Sequence, residues 1–221
     1  MTLKIIFWNA HTLKKTKYLF LKNTFSGDTI FGIAESSPSL TTQQSFTHNS
    51  THNSTNSLTF LYSQHIHLLH THTDTPHTLH CSFSHHSQPF SILLTHFPNT
   101  PTEHVPLLKS FTPLLTPYLS MPVIVMGDFN FTTTPSDSSL PSYAPPSLIS
   151  AHNSFLSLGF SDPLSSTPNP PFTHFKNLTQ QPHPLYNSRR IDRLYTNTPH
   201  TLSSLLTINT PTHSDHALPT H

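Results

Sequence analysis

The sequence has little cysteine, little charge and no long apolar run, and the first and last of these shortages each exclude a class of protein. Cys81 is the only cysteine among 221 residues, which excludes an intramolecular disulfide framework and a zinc site built on cysteines. It also favours a reducing compartment. Charged residues make up 9% and the net charge is +1, so charge alone neither requires nor excludes a nucleic-acid partner. No apolar run is long enough for a membrane span, and the N-terminal one is too short for a signal peptide.

Glycine is also scarce, with 4 residues, whereas proline (22) and histidine (20) are abundant. The favoured residues have C-rich codons and the scarce ones have codons that begin with G, which indicates a nucleotide-level bias on the gene. Half of the histidines lie between His48 and His86. Imidazoles can bind transition metals. Because the bias explains their enrichment, the sequence does not favour a dedicated histidine metal site in region 48–86.

The pattern of apolar runs predicts one α/β domain built on two sheets. We expect helices at 14–25, 103–119 and 148–158, the second kinked or broken by Pro113 and Pro117. Polar, low-complexity segments at 36–57 and 132–146 are expected to be loops. Short apolar or alternating runs predict strands at 3–10, 29–35, 57–62, 65–70, 77–83, 90–96, 122–127, 171–175, 190–197, 205–209 and 214–219.

Polar residues of similar chemistry follow many of these strands. The run PVIVMGDFN ends in Asp128 and Asn130, which share one side of an extended segment. Other strand ends carry Asn9, Glu35, His96, Asp192, Asp215 and His216. Each could alternatively be an ordinary turn residue, or, for Asp192, a partner of a neighbouring arginine. If the ends converge, their oxygens would suit Mg²⁺, and Asp and His beside them could activate water for phosphodiester hydrolysis.

The order of these motifs resembles a known superfamily. WNA, IAES, LLTHFPN, GDFN, RIDRLY and HSDHALP are similar to successive motifs of the endonuclease/exonuclease/phosphatase superfamily. The resemblance implies one domain over 1–221 with the DNase I-like fold, a four-layer α/β sandwich of two packed mixed sheets flanked by helices. SLGFSDPL, NPPFTHF and SRRIDRLYTN resemble the endonuclease domain of non-LTR (LINE-type) retrotransposons. The chain ends two residues after SDHALP, where relatives continue, which implies a domain lacking its last core strand.

The resemblance implies a metal site and a water-activating carboxylate. Glu35 would be the principal ligand of Mg²⁺, or of Mn²⁺ as a substitute. Asn9 would lie beside it and Asp215 close to the ion. Asp128 would position or activate the attacking water, and Asn130 would hold a phosphate oxygen.

Other residues would contact the substrate or orient those that do. By the same resemblance, His216 would contact the scissile phosphate or act as a base, oriented by Asp192. His96 would assist the phosphate or the leaving group, and Thr173 would lie near the phosphate. Arg190 belongs to a basic stretch that could contact a nucleic-acid backbone or form a solubilising rim. Arg190 and Thr173 are therefore candidate substrate-binding residues, together with Asn130.

The sequence therefore favours a Mg²⁺-dependent phosphodiester hydrolase, with DNA nicking for a non-LTR retroelement as the preferred activity. DNA would be the partner, and a reverse transcriptase polyprotein could contain or adjoin the domain. The expected location is intracellular, and nuclear for action on genomic DNA. The alternatives are a superfamily phosphatase or phosphodiesterase acting on a phosphoinositide or phospholipid, and a catalytically decayed retroelement relic or binding module.

Overall fold

Two β-sheets pack face to face, and helices cover their outer surfaces. The computed structural model describes residues 2–24, 27–36, 49–52, 57–139, 144–165, 172–178, 185–198, 206–208 and 218–220. One helix lies on one sheet and two lie on the other, so the molecule has four layers. This architecture confirms the predicted α/β sandwich of two packed mixed sheets flanked by helices.

The first sheet has six described strands: β1 (Lys4–Asn9), β2 (Thr29–Ala34), β3 (Asn49–His52), β4 (Leu58–Tyr62), β12 (Leu206–Ile208) and β13 (Leu218–Thr220). Their order across the sheet is β12-β13-β1-β2-β4-β3. β1 and β2 are parallel and pair from Lys4 with Thr29 to Asn9 with Ala34, so both end at the same edge. β13 pairs antiparallel with β1 through Ile6 and Thr220.

The second sheet has five described strands: β5 (His67–His72), β6 (Thr78–His85), β7 (Gln88–His96), β8 (Val123–Asp128) and β11 (Asp192–Thr196). Their order across the sheet is β11-β8-β7-β6-β5. The centre is again a parallel pair, because β7 and β8 run together from Ser91 with Val123 to His96 with Asp128. β9 (His174–Leu178) and β10 (Leu185–Arg189) form a separate antiparallel hairpin.

Three α-helices are described: α1 (Lys15–Thr24), α2 (His104–Leu115) and α3 (Pro146–Leu156). α2 contains Pro113 and is followed by a 3₁₀ turn at Thr116–Tyr118 with Pro117 inside it, which confirms the predicted broken helix. No helix of the described residues has the length and apolar character needed to cross a membrane.

The main core lies between the sheets, where alternate residues of every central strand point. Gly32 in β2 lets the sheets approach closely, because a Cβ there would lie 2.3 Å from the Met126 side chain in β8. Cys81 belongs to this core, and burial raises the pKa of its thiol to about 12. It is therefore a packing residue with a protonated, unreactive thiol.

Three details of the secondary structure differ from the sequence expectation. The segment 36–57, expected to be a loop, contains β3, and β10 was not expected as a strand. The strand at 57–62, expected to continue into the antiparallel series that follows it, pairs with β2 and β3 in the six-stranded sheet. Polar sequences such as NSTH carry no hydrophobic alternation, so only pairing with a partner strand makes them strands.

Candidate active site

Three predicted site residues form one row across the five-stranded sheet. In the register, Asp128 at the end of β8 lies opposite His96 at the end of β7 and opposite Asp192 at the start of β11. Directly paired residues project from the same face of a sheet, here the face that builds the inter-sheet core. The row therefore closes one end of that core. Two carboxylates directly opposite one another repel, so a cation or a donor near this row stabilises it.

Asn9 joins this row to the other sheet. Its side-chain nitrogen donates to Asp128 Oδ2 at 3.0 Å and to Glu35 Oε1 at 2.9 Å. Asn9 ends β1, and Glu35 directly follows β2, the strand parallel to β1. One buried amide thus holds two carboxylates from two sheets, at the end of the sandwich where parallel strands of both sheets terminate.

Glu35 has two imidazoles beside its carboxylate. His11 Nδ1 lies 2.6 Å from Oε2, and His96 Nε2 lies 3.4 Å from Oε1. The hydrogen bond from His11 is the main cause that lowers the pKa of Glu35 to about 2, with that from Asn9 adding to it against the cost of burial. Glu35 is therefore ionised at neutral pH.

Sequence reasoning missed His11. It lies two residues after Asn9 and directly follows the WNA motif, but in a chain with 20 histidines a single one carries no signal. Its backbone φ of 41° and the φ of 51° at Glu35 are in the left-handed region that such residues rarely adopt. Two neighbouring residues held in this conformation indicate a geometry that the surrounding structure enforces.

The GDFN turn is fixed by backbone contacts. Asp128 Oδ1 accepts a hydrogen bond from the Asn130 backbone N–H at 2.9 Å, and the Asn130 side chain donates to the Phe97 carbonyl at 2.7 Å. Asn130 has a φ of 50°, which Asn tolerates better than most residues. Gly127 is needed for space, since a Cβ there would lie 2.0 Å from the Thr95 carbonyl oxygen on β7. The Asp128 and Asn130 side chains therefore have set positions.

Thr173 is close to the site but buried beneath it. Its hydroxyl accepts hydrogen bonds from the backbone N–H of Asp192 at 2.9 Å and of Ile191 at 3.2 Å, and none of the residue is exposed. The predicted substrate contact of Thr173 does not agree with this position. The side chain instead fixes the backbone that carries Asp192 into the row.

Arg190 also differs from the expectation. Its guanidinium is buried, with Nε 2.8 Å from Asp137 Oδ1 and Nη1 2.5 Å from Asp162 Oδ2. Arg193 pairs with the same two carboxylates. A buried, doubly paired guanidinium is neither a phosphate contact nor a solubilising rim, so the predicted substrate contact of Arg190 does not agree with the structure.

A cavity of about 300 Å³ lies on the helix side of β11, away from the row of His96, Asp128 and Asp192. His152, Asp162, Arg190 and Arg193 border it, together with apolar residues of α3. Its arginines and aspartate are already paired with one another. The strand ends, rather than this cavity, therefore form the candidate active site.

The donor set at the strand ends suits a hard divalent cation. Glu35 and Asp128 supply carboxylate oxygens, and Asn9 supplies an amide oxygen that accepts a weak 3.4 Å hydrogen bond from the His11 N–H. Oxygen ligands of this kind fit Mg²⁺. Asp215 and His216, the remaining predicted members, lie outside the described residues, and their roles stay predictions.

One protein family matches most of this sequence. A model of the Endonuclease/Exonuclease/phosphatase family matches residues 41–216, well over half of the chain. No curated protein gives a significant sequence match.

Solved structures share the fold at low sequence identity. An AP endonuclease from Archaeoglobus fulgidus superposes with a TM-score of 0.75 at 14% identity, covering 99% of this chain and 98% of the other. The endonuclease domain of TRAS1, a telomere-specific non-LTR retrotransposon, gives 0.71 at 11% identity with 99% and 97% coverage. TDP2 from D. rerio, complexed with a single-strand DNA product, gives 0.63 at 14% identity with 99% and 97% coverage.

Proposed function

The chain belongs to the endonuclease/exonuclease/phosphatase family and is a phosphodiester-hydrolysing enzyme, and from this premise we propose that it is a Mg²⁺-dependent endonuclease that nicks DNA for a non-LTR retroelement. The observation that carries the proposal is the Asn9 amide, which holds Glu35 and Asp128 together where the parallel strands of both sheets end. A hydrolytic site needs an acidic metal-binding group and a water-activating group within one small volume, and this contact provides both.

Each residue of the site has a role in this proposal. Mg²⁺ held by Glu35, Asn9 and Asp215 would neutralise charge that develops on the phosphoryl group and the leaving oxygen. Asp128 accepts a proton from the attacking water or orients it, while its own position is set by two hydrogen bonds. Asn130 donates its second amide hydrogen to a phosphate oxygen, the first being used by a backbone carbonyl.

The imidazoles complete the proton transfers. His96, beside Glu35, assists the leaving group or the phosphate. His216 contacts the scissile phosphate, and Asp192 holds its ring in one tautomer. Thr173 acts through Asp192 by fixing its backbone, and so is a positioning residue.

DNA as the substrate is supported by the retrotransposon-like tail motifs and by the similarity to the TRAS1 endonuclease domain. Since Arg190 is buried, the phosphate contacts must come from other cations. Lys14 and Lys15 are exposed at the start of α1, a few residues after Asn9 ends β1. We assign them to the DNA backbone, because phosphate contacts need only exposed cations near the cleavage point.

Nicking of supercoiled plasmid tests the proposal. The purified protein should convert supercoiled DNA to open circles with Mg²⁺ and lose this activity with EDTA. Asp128→Asn and His216→Ala should reduce the rate by about 100-fold or more, since each removes a proton-transfer group. Glu103→Gln, at an exposed carboxylate outside the site, is the matched control and should nick at the wild-type rate.

Assays with other substrates separate the alternatives. A duplex with one abasic site tests whether cleavage is specific for that lesion. Release of phosphate from inositol phosphates, or cleavage of sphingomyelin, would show that the substrate is one of these compounds and not DNA. Folded, soluble protein without activity on any of these would identify a decayed copy and refute the nuclease. A reverse transcriptase reading frame adjoining the gene would support the retroelement origin independently of any assay.

A further inference from the structure

A second group of metal-ligating side chains lies at the other end of the sandwich. Asp28 directly precedes β2, whereas Glu35 follows it, so the two carboxylates are about 20 Å apart along the strand. His85 ends β6 and His86 begins the turn to β7, both in the opposite sheet. The cluster of Asp28, His85 and His86 therefore connects the two sheets far from the candidate active site.

The three ligand atoms converge on one point. His85 Nε2 lies 2.8 Å from Asp28 Oδ2, and His86 Nε2 lies 4.0 Å from the same oxygen. All three atoms are within 4.8 Å of one another. The side chains of Asp28 and His85 are 4% and 10% exposed and that of His86 is 62% exposed, so the group is anchored on the inside and open to solvent on one side.

The turn that carries His86 is conformationally costly. His86 and Ser87 form a two-residue hairpin loop with φ of 48° and 63°, between the paired residues His85 and Gln88. Such a loop strongly prefers Asn-Gly. Scarce glycine accounts for the absence of Gly from the loop, and His86 occupies a position that Asn fits better.

The left-handed non-glycine residues of the described part of the chain lie in two places. Among the described residues, the non-glycine positions with positive φ lie around the candidate active site or in this turn: His11, Thr12, Glu35, Asn130, His86 and Ser87. Residues held in sparsely populated conformations concentrate at functional sites. The turn at His86 therefore has the same kind of backbone signature as the candidate active site.

We propose that Asp28, His85 and His86 form a binding site for a divalent transition-metal ion, with Zn²⁺ as the best fit. Two imidazole nitrogens and one carboxylate oxygen, with water in the fourth position, are an ordinary ligand set for Zn²⁺. Ligand atoms around tetrahedral Zn²⁺ are about 3.3 Å apart, between the 2.8 and 4.0 Å seen here, so a small shift of the exposed His86 closes the site.

Binding requires one protonation change and has one structural consequence. The proton on His85 Nε2 that hydrogen-bonds Asp28 moves to Nδ1, which frees the Nε2 lone pair for the metal. Hydrogen bonding from His85 already lowers the pKa of Asp28, so its carboxylate is ionised at neutral pH. Because the ligands come from both sheets, the bound ion cross-links them, and the role of the site is structural.

Co²⁺ absorption spectroscopy tests the site directly. The protein is purified without a polyhistidine tag, stripped with EDTA and titrated with Co²⁺, and Zn²⁺ is then added in competition. With excess Mg²⁺ present to occupy the candidate active site, we expect one Co²⁺ per chain with the intense visible bands of a four-coordinate site, displaced by one equivalent of Zn²⁺. The apparent melting temperature should rise with Zn²⁺ concentration.

Variants decide which residues bind the ion. His86→Asn should weaken binding by roughly tenfold or more. It should not impair folding, because Asn is more comfortable than His in the left-handed region. Asp28→Asn should abolish the bands. His72→Asn, at an exposed histidine on edge strand β5, and Glu35→Gln should leave them unchanged.

Absence of saturable binding would overturn the proposal. So would binding that persists in folded His86→Asn and Asp28→Asn proteins, since it would indicate chelation by scattered surface histidines only. The result is independent of nuclease activity, because the readout is spectroscopic and Glu35→Gln is expected to retain the site.

Discussion

The buried carboxylate of Asp137 provides the sharpest test of the structural reasoning. It accepts hydrogen bonds from Arg190 Nε and Arg193 Nη2, both at 2.8 Å, and from the backbone N–H groups of Thr133 and Thr134 at 2.9 and 2.8 Å. None of Asp137 is exposed. Asp137→Asn keeps the volume but leaves two buried guanidiniums with one carboxylate, so one positive charge lacks a counterion.

The expected cost follows from that uncompensated charge. Breaking a buried ion pair by neutralising one partner destabilises proteins by about 3–5 kcal/mol. A domain has a total stability of roughly 5–15 kcal/mol. The melting temperature of a chain of this size should then fall by about 10 °C.

Urea denaturation followed by circular dichroism measures the effect. With a slope of about 2–3 kcal/mol/M, the midpoint should move down by roughly 1–2 M. Asp74→Asn is the matched control, because it removes an exposed carboxylate paired with His72 and should change stability by less than about 0.5 kcal/mol. A double variant, Asp137→Asn with Arg193→Met, should be more stable than Asp137→Asn alone, since it also removes the excess charge.

The pH dependence gives a second measurement on Asp137. The neighbouring arginines hold its pKa below the ordinary value of 3.8, against the cost of burial. A carboxylate with a lowered folded-state pKa contributes stability above its unfolded pKa and loses it as the pH falls through the folded value. The difference between wild type and Asp137→Asn should therefore be constant above about pH 5 and shrink below pH 3.8. A difference under 1 kcal/mol at pH 7 would refute the buried-pair reasoning.

Three further outcomes are expected. Thr173→Val should destabilise the protein by about 1–3 kcal/mol in denaturation and slow plasmid nicking by about 10- to 100-fold, because the backbone N–H of Asp192 loses its acceptor. Removing both Lys14 and Lys15 should weaken DNA binding and reduce the salt slope of log K by roughly 2, measured by fluorescence anisotropy over a range of salt. Glu35→Gln should lower the free energy of unfolding by about 1 kcal/mol at pH 7, measured by urea denaturation. This difference should disappear as the pH falls from 4.5 towards 2, because Glu35 stabilises the fold only while its carboxylate is ionised.

Each of these has a control. Thr173→Ser keeps the hydroxyl and should retain activity, and loss of activity in both variants would contradict the hydrogen-bond argument. An unchanged salt slope would remove the lysines from the DNA interface. Glu103→Gln, at an exposed carboxylate, should show no matching pH dependence, and a similar one there would indicate a general charge effect.

The residues predicted for the candidate site stand out in the sequence because their pattern is local. Buried strands are apolar, so polar residues at their ends, such as Asn9, Glu35 and Asp128, are conspicuous in the chain. The structure explains why Gly32 and Gly127 are glycines in a chain with so few. A Cβ at either position would collide with the neighbouring strand or sheet. The sequence does not show which residues Asn9, Glu35 and Asp128 contact.

By itself the sequence determined the two-sheet α/β class, the broken second helix and the residue types brought to the strand ends, since these depend on apolar periodicity and on Pro and Gly positions. The tertiary structure alone decided that Arg190 is buried in ion pairs, that Thr173 supports Asp192 from below, and that Asp28 faces the His86 turn. The physical reason is that the alternation of side chains along a strand assigns them to two faces but does not determine which face packs against the core, a helix or solvent. Strand order and register settle that, and they join residues as far apart in sequence as Asn9 and Asp128.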